Sequence, residues 1–449
     1  METPVLDDIL VKLRNALERD DLDSATAIIE ELRPPDQADL FTELDDEDQV
    51  ALMPRLNPAD LADILEEMDD EEAAELVAAL PTRTIIRIVD EMEPDEAADL
   101  LGDIRPEQAQ EVLAGLEDAE EVRPLLIHPD DSAGGLMTSE FLALRRRMKA
   151  GEAIEAIRAW KPEAETIYYL FVVDRCGHLV GVVNLRQLIV AEPDTLIGDI
   201  MNTEVISVPA GTDQEQCARL MTRYDLLALP VVDTRGVLLG VITIDDVVDV
   251  LEEEATEDIQ RLGGAEPLRR SYLDTNILMV ARKRAGWLLL LFFTATLTGS
   301  VMLLFQDELQ AVVALAIFVP LLIGTGGNVG SQTTATIIRA LATGDVEPID
   351  ALRVWWHEIR VGLALGLAMA VVAYLRAVTW EPNPALAVTV AASILGIVLW
   401  AAGVGALLPL LAARLGIDPT VVSGPVMSTL VDATGLLIYF TIARIVLSL

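Results

Sequence analysis

The chain has 449 residues, of which 52% are apolar, and a formal net charge of −41. The charge lies in one part: residues 1–268 hold 63 Asp and Glu against 21 Lys and Arg, whereas residues 269–449 hold 10 against 11. So acidic a surface repels nucleic acid, which excludes that class of partner and favours cations. The two cysteines, Cys176 and Cys217, predict no disulfide framework, and the first twenty residues lack a signal-peptide pattern. We therefore expect the acidic part to be cytoplasmic.

Residues 1–130 predict an acidic helical N-domain. Apolar residues recur at helical spacing, as at Leu61, Ile64, Leu65 and Met68. Proline followed by an acid in the segments NPADLADIL, EPDEAADLL and RPEQAQEVL is a helix-start signal. We expect short helices stacked into a small superhelix. Most of the 39 acids are interpreted as a solvated face, but clusters such as residues 69–72 need screening or a bound cation.

Residues 131–250 contain an internal repeat, with copies at about 136–198 and 199–250. Each copy predicts a short strand, a helix, two strands joined by a Gly-containing turn, and a closing helix. The pattern resembles a tandem pair of cystathionine-β-synthase (CBS) domains, an α/β module that often binds adenine nucleotides such as ATP. Thr243 and Asp246 match the ribose-binding motif, whereas the first copy has Asn184 and Gln187 at these positions. At most one nucleotide site is therefore expected, and a CBS pair without nucleotide is the alternative.

Residues 246–268 predict an acidic connecting helix without a breaker before residue 263. Asp246, Asp249, Glu253 and Glu257 fall on one face of this helix. The helix joins the acidic domains to the apolar part of the chain, so it can transmit movement between them. A rigid linker is the alternative.

Residues 269–449 predict an all-α membrane domain of five spans, at about 286–305, 311–338, 359–379, 385–413 and 420–447. Basic residues precede the first span (269, 270 and 282–284) and lie between spans two and three and between spans four and five. The other connections hold only Arg376. The positive-inside rule then places the N-terminal domains in the cytoplasm and the C-terminus outside.

Polar residues inside the spans mark candidate functional positions. Span two carries the Gly-rich stretch at 324–334, and Asp432 in span five is the only acid well inside a span. A carboxylate at membrane depth costs roughly 2.5–3.5 kcal/mol on insertion scales and by default indicates function. The sign of Asp432 favours a cation path, and a structural hydrogen bond between helices is the alternative.

Other chemistries find no support in the sequence. There is no Walker A motif, and the three histidines, His128, His178 and His357, form no Cys/His set with zinc spacing. We therefore predict neither an enzyme, nor an ATP-driven pump, nor a zinc site.

The acidic helical domain, the CBS pair and five spans carrying GTGGNVGSQ and DATGLLIY resemble the bacterial MgtE-type magnesium channels over essentially the whole length. The resemblance implies an Mg²⁺ importer of the bacterial inner membrane, a homodimer whose pore is lined by spans two and five of each subunit. It implies that paired Asp432 carboxylates hold a hydrated Mg²⁺, helped by the backbone at Ser428, with Asp418 at the cytoplasmic mouth. Gly424 stands where the family commonly has Asn, so an ion-contacting side chain is absent there.

The resemblance also implies a cytoplasmic Mg²⁺ sensor whose ions bridge the acidic domains and close the pore. The matching residues are Asp63, Asp95 and Asp99 in the N-domain; Gly135 (backbone), Asp213, Glu215, Asp225, Asp246 and Asp249 in the CBS pair; and Glu254, Glu257 and Asp258 on the connecting, or plug, helix.

Three rival functions remain open. The same architecture would serve Mn²⁺, Co²⁺, Ni²⁺ or Zn²⁺, although we expect no His, Cys or Met ligand in the pore segment. A proton-coupled transporter would use Asp432 as its proton carrier. A membrane-anchored sensor would conduct nothing but would need an output domain. An anion channel is disfavoured by the sign of Asp432.

Overall fold

The computed structural model describes residues 3–160, 169–268, 275–422 and 424–448. Arg269 and Arg270, which the orientation argument uses, lie outside the described residues. The chain divides into two compact units, Met1–Glu254 and Ala255–Leu449.

The N-terminal part of the first unit is a stack of short helices. Prolines at the first turn start α3, α5, α8 and α9, as the sequence predicts, because the missing N–H is not needed there. The helices are α1 (Thr3–Leu17), α2 (Leu22–Glu30), α3 (Pro34–Thr42), α4 (Asp46–Leu52), α5 (Pro58–Glu66), α6 (Asp70–Ala78), α7 (Thr82–Val89), α8 (Pro94–Asp103), α9 (Pro106–Leu113) and α10 (Ala119–Val122).

Two similar α/β modules follow, and they confirm the predicted CBS architecture. The first contains β1 (Ala143–Arg145), α11 (Ala150–Trp160), β2 (Tyr169–Val173), β3 (Leu179–Asn184), α12 (Leu185–Val190) and α13 (Ile197–Ile200). The second contains β4 (Val208–Pro209), α14 (Gln214–Tyr224), β5 (Ala228–Val232), β6 (Leu238–Thr243) and α15 (Ile244–Leu262).

The two sheets repeat one topology. In each sheet, the first strand pairs in parallel with the second, which pairs antiparallel with the third. Val172 faces Gly181 in the first sheet, and Val231 faces Gly240 at the matching place in the second. The internal sequence repeat therefore corresponds to two sheets with the same strand pairing and the same register.

The cores tie the second module, and not the first, to the helical stack. One continuous apolar core runs from the stack into the second module through buried residues such as Met137, Val208 and Val247. The first module has a separate core around Leu144, Val172 and Val183. A small cluster that includes Phe171 and Leu238 joins the two sheets.

In the described residues of the second unit, five helices are long and apolar enough to cross a membrane, which confirms the predicted all-α membrane architecture. Its helices are α16 (Ile277–Leu304), the short α17 (Gln306–Ala311), α18 (Ala314–Ala342), α19 (Ala351–Trp380), α20 (Pro384–Arg414) and α21 (Gly424–Leu447). α18, α20 and α21 pack around a core that includes Phe318, Ile397 and Tyr439. The last residues of α15, from Ala255 onward, belong to this unit.

Candidate ion pathway and acidic cluster

Glycines on α18 let α21 approach closely. An added Cβ at Gly326 would lie 2.7 Å from Val431, one at Gly327 would lie 3.0 Å from the Ser428 Oγ, and one at Gly330 would lie 2.9 Å from Met427. The stretch at 324–334 therefore serves helix packing, as small residues do in membranes. The expectation that this segment contains no methionine was wrong, because α21 carries Met427, but this side chain is fully buried in the contact with α18.

Asp432 lies one turn beyond Ser428, so the two share a face of α21. Both are half-buried in the single chain. On α18, Asn328 and Gln332 are also one turn apart and are exposed. The two helices thus carry polar groups inside segments that are long and apolar enough to cross a membrane.

The start of α21 is fixed by polar contacts. The Ser331 hydroxyl donates to the Gly424 carbonyl at 3.1 Å. Asp418, just before α21, forms an ion pair with Arg261 near the end of α15, and Arg261 also contacts Glu257. Burial and the nearby Asp418 charge raise the pKa of the Asp258 carboxyl. Three predicted residues, Glu257, Asp258 and Asp418, therefore lie together here.

A second group of carboxylates is built around Asp95 in the first unit. Asp95 is 6% exposed, and its Oδ1 has no hydrogen-bond partner among the described residues. The charges of Asp246, Glu93 and Asp99 all act on it. An orphaned, buried carboxylate oxygen among other acids is an unusual arrangement, since buried polar atoms are normally paired.

These carboxyls hold protons far more tightly than usual. Loss of water, then the charges of neighbouring acids, raise the pKa of Asp70 to about 6, Glu93 to about 7, Asp99 to about 8 and Glu96 to about 10. For Asp246 the pKa rises to about 6 although the Thr243 hydroxyl donates to it. We call Asp70, Glu93, Asp95, Glu96, Asp99 and Asp246 the acidic cluster. The sequence predicted three of its members as sensor residues and placed Asp70 in the acidic run 69–72 that needs screening or a bound cation, but it did not indicate Glu93 or Glu96.

Asp63 and Asp249 both lie near the Glu67 carboxyl, which is outside the acidic cluster. Partial burial, then the charges of Asp249, Asp39 and Asp63, raise the pKa of the Glu67 carboxyl. Asp249 lies on α15 and Asp63 on α5, so this group also spans the helical stack and the second module. Glu67 was not singled out from the sequence.

Other predicted sensor residues have local structural contacts. Asp213 caps α14 by accepting from the Gln216 amide, and Glu215 pairs with Arg219 one turn on. Asp225 ends α14 in the left-handed conformation, with φ 51°.

Two further predicted residues lie near these. Glu254 accepts a hydrogen bond from Gln214 at 2.9 Å. Gly135 is buried, and a Cβ there would lie 2.6 Å from the Asp130 and Pro129 carbonyls.

The two residues predicted to bind ribose, Thr243 and Asp246, are hydrogen-bonded to each other. The Thr243 hydroxyl donates to Asp246 at 2.6 Å, and Thr243 is 5% exposed. The first module instead carries an open cleft of about 790 Å³, whose lining includes Tyr169, Asn184 and Arg186.

Comparison with known protein families agrees with this architecture. Residues 32–131 match the MgtE intracellular N domain, residues 133–194 and 197–253 match CBS domains, and residues 319–442 match MgtE, described as a divalent cation transporter. The magnesium transporter MgtE of Thermus thermophilus is 47% identical over 327 residues, which cover 73% of this chain and 72% of the relative. The chain belongs to the MgtE family.

Other relatives and structures point the same way. The MgtE proteins of Enterococcus faecalis and Bacillus subtilis are 38% and 36% identical, over 73% and 74% of this chain and 72% and 73% of theirs. A crystal structure of the cytosolic domain of the Mg²⁺ channel MgtE in complex with ATP aligns with a TM-score of 0.51 and 41% identity. It covers 54% of this chain and 99% of that one. A structure of the soluble part of a magnesium transporter aligns at 0.50 and 36%, over 56% and 99%.

MgtE is a transporter family, so the prediction that the chain is not an enzyme is confirmed. The chain is thus a membrane transporter with an intracellular N domain.

Proposed function

We propose that this MgtE protein is a homodimeric Mg²⁺ channel of the bacterial inner membrane that imports Mg²⁺. Its N-terminal domains face the cytoplasm and its C-terminus lies outside. The observation that carries the proposal is Asp432, a carboxylate inside a membrane span, on the same face as Ser428 and on a helix packed tightly against α18.

The polar groups on α18 support a dimer. Asn328 lies at the centre of α18 and is exposed in the single chain. Hydrocarbon is a poor solvent for an amide, so polar groups at this depth face protein or a water-filled cavity. A second copy related by a two-fold axis would enclose such a cavity and bring two Asp432 carboxylates opposite each other.

Two facing carboxylates suit Mg²⁺ as the transported ion. Mg²⁺ loses water reluctantly, so it is held well by a few charged oxygens that leave its hydration shell largely intact. Soft metals would favour sulfur or imidazole ligands, yet Met427 is buried away in the α18 contact.

The transport proposal is tested by Mg²⁺ uptake into proteoliposomes that contain the full chain. Asp432→Asn and Asp432→Ala should abolish uptake, whereas Asp307→Asn, which removes an exposed charge between spans one and two, should retain it. Equal uptake by all variants would make Asp432 structural. No uptake by the unmodified protein at low Mg²⁺ on the cytoplasmic side would favour the non-conducting sensor.

The same vesicles separate the remaining rivals. Uptake that changes steeply with pH at a fixed membrane potential would favour proton coupling through Asp432. Uptake of Co²⁺ or Ni²⁺ in preference to Mg²⁺ would change the cargo and keep the pathway.

We further propose that cytoplasmic Mg²⁺ closes the channel by binding to the acidic cluster. The orphaned Asp95 oxygen supports this, because an oxygen-only set of carboxylates is what Mg²⁺ prefers. A cation there offsets the repulsion that otherwise forces the carboxyls to keep their protons. The ion therefore favours the compact arrangement of the helical stack on the second CBS module.

In this proposal, closure of the pore also involves the acidic group around Asp418 in the second unit. Glu257 and Asp258 lie on the last turns of α15, beside an acid that precedes α21. We propose that Mg²⁺ also binds among these carboxylates, and that α15, the plug helix, restricts the cytoplasmic mouth when it does. The other sensor residues, Gly135, Asp213, Glu215, Asp225 and Glu254, remain predictions.

Limited proteolysis tests the sensor. Cleavage between the helical stack and the CBS pair of the full chain should slow as Mg²⁺ rises through the millimolar range. Asp95→Asn should weaken this protection, and Asp118→Asn, an equal charge change on an exposed residue, should not. Cleavage that ignores Mg²⁺ would contradict the sensor without contradicting transport.

ATP binding to the CBS pair is a second proposed function. The cleft of the first module supports it, since Arg186 offers a cation for phosphate and Tyr169 an aromatic face. The Thr243–Asp246 pair is the competing site. ATP titration followed by equilibrium dialysis should show binding that Arg186→Ala weakens; loss in Thr243→Ala alone would move the site to the second module.

A further inference from the structure

A tight turn joins β2 to β3 in the first CBS module and holds three metal-ligating side chains. The donor atoms of Asp174, Cys176 and His178 all lie within 4.8 Å of one another. The Asp174 Oδ2 is 3.0 Å from the His178 Nδ1. Cys176 is exposed, and the Asp174 and His178 side chains are 42% and 41% exposed. The group is therefore reachable from solvent.

The backbone of the turn fixes Asp174 and leaves one of its oxygens for a ligand. The Asp174 Oδ1 accepts from the amides of Cys176 at 2.7 Å and His178 at 3.0 Å. The Asp174 Oδ2 faces the imidazole. Arg145 contacts the Asp174 carbonyl and not its carboxylate.

The second CBS copy is an internal control for this turn. There, Asp233 accepts from the amides of Arg235 at 2.8 Å and Val237 at 2.9 Å. Gly177 and Gly236 have φ of 87° and 83°, so the two turns share one conformation. The turn therefore needs the aspartate and the glycine only.

Cys176 and His178 replace an arginine and a valine at the matching positions. In the second turn, the Arg235 Nε donates to the Asp233 Oδ2 at 3.1 Å, which neutralises the carboxylate. In the first turn, the same carboxylate oxygen faces imidazole, and a thiol lies beside it. The conformation of the turn does not require Cys176 or His178, whereas a metal site would need both side chains as ligands.

The second turn also holds the first in place. The Leu179 amide donates to the Gly236 carbonyl at 3.0 Å, and the Leu238 amide donates to the Gly177 carbonyl at 3.1 Å. His178 thus stands opposite Val237 in a short antiparallel pairing. Two of the three donors are preorganised by backbone bonds, and a rotation of the exposed Cys176 side chain completes the set.

We propose that Asp174, Cys176 and His178 form a binding site for a thiophilic divalent transition metal of the Zn²⁺ class. Oxygen, sulfur and nitrogen ligands about 2.0–2.3 Å from the metal give the separations that a tetrahedral Zn²⁺ needs, with one position open to water. Mg²⁺ is not the ligand, because it prefers oxygen alone. On binding, the thiol and the imidazole Nδ1 release any proton they carry to solvent.

The site would let the first CBS module bind a soft metal with a ligand chemistry that differs from that of the acidic cluster. The inference is independent of the proposed transport function, because it rests on the turn alone.

Cobalt substitution tests the site in the full chain in detergent. One equivalent of Co²⁺ should produce a thiolate-to-cobalt charge-transfer band and visible bands of a tetrahedral complex. Excess Mg²⁺ should leave these bands unchanged, and Zn²⁺ should remove them by displacing Co²⁺. Cys176→Ser should abolish the charge-transfer band.

The repeat supplies a matched control. The double substitution Cys176→Arg and His178→Val gives the first turn the residues of the second, so it should fold and bind no Co²⁺. Cys217→Ser, which alters the fully buried cysteine, should retain the bands. Absence of a charge-transfer band in the unmodified protein, or its survival in the double variant, would overturn the proposal.

Discussion

Asp95→Asn separates the charge of the acidic cluster from its packing. Asparagine has nearly the shape of a protonated aspartate, so the substitution leaves the buried volume intact. It removes the carboxylate whose Oδ1 has no partner among the described residues. If that carboxylate binds Mg²⁺, the variant should lose part of the stabilisation that Mg²⁺ gives to the first unit.

The size of the effect follows from linkage. Mg²⁺ at 100 times its dissociation constant stabilises the folded state by about 2.7 kcal/mol. For a unit of this size, 1 kcal/mol shifts Tm by roughly 2–4 °C, so Mg²⁺ should raise Tm by roughly 5–11 °C. A tenfold weaker site would give about 1.4 kcal/mol at the same concentration, and so about half the shift.

The pH dependence has a definite sign. Folding raises the pKa values of Asp246 to about 6, Glu93 to about 7 and Asp99 to about 8. The folded state therefore binds more protons than the unfolded state from about pH 4 upward, and stability without Mg²⁺ should fall as pH rises through the folded pKa values. Saturating Mg²⁺ lowers these pKa values and should flatten the dependence. Near pH 9 without Mg²⁺, Asp95→Asn should be more stable than the unmodified protein.

Scanning calorimetry of the full chain in detergent, with Mg²⁺ or with a chelator, measures both effects. Asp118→Asn is the control for a general change of charge. Equal Mg²⁺ shifts in all three proteins would refute the role of Asp95, as would lower stability of Asp95→Asn than of the unmodified protein at pH 9 without Mg²⁺.

Three further predictions concern the membrane unit. Gly405→Ala should destabilise this unit by about 1–3 kcal/mol in thermal unfolding, because the new Cβ would lie 2.9 Å from the Gly330 carbonyl. The control Gly324→Ala should be near neutral, because the space around Gly324 is open. Tyr439→Phe should cost about 1–2 kcal/mol, because the fully buried hydroxyl donates to the Leu315 carbonyl at 3.0 Å; the Thr441→Val control removes a local bond on the exposed side of α21. Gly424→Asn should fold normally, since its Cβ would meet Ser331 at 3.5 Å, and should change the ratio of Mg²⁺ to Co²⁺ uptake; an unchanged ratio would show that this position does not contact the ion.

The sequence predicted the helices and strands of this protein better than it predicted which of them contact each other. Proline-acid signals located the starts of α5, α8 and α9, because helix initiation is decided by a few adjacent residues. The repeat predicted two similar sheets, because strand pattern and turn glycines recur at matching positions. Local rules suffice for both.

The acidic cluster could be predicted only in part, because its members come from separate elements. Asp70 begins α6, Glu96 lies on α8, and Asp246 lies on α15. In a stretch with 39 acids in 130 residues, no local pattern tells which carboxylates lose water and which stay solvated. That distinction is set by how the helical stack packs on the second module.

The three-residue site in the first turn was missed for a different reason. Cys176 and His178 are two residues apart, a spacing that matches no common zinc motif, and each has an ordinary interpretation by itself. A comparison of the two repeats would have found them, since Asp174 and Gly177 match Asp233 and Gly236 while the other two residues differ in chemistry. Differences between copies of a repeat are thus informative where the backbone is shared.

The two CBS copies also differ in what surrounds them, and this fits a division of roles. The second copy shares its core with the helical stack and contributes Asp246 to the acidic cluster. A change in that cluster therefore acts directly on the start of α15. The first copy keeps a separate core, an open cleft and the Asp174 turn. Ligands of the first copy can act on the second through the sheet contact around Phe171 and Leu238 and through the hydrogen-bonded turns, so they should adjust the response to Mg²⁺ rather than replace it.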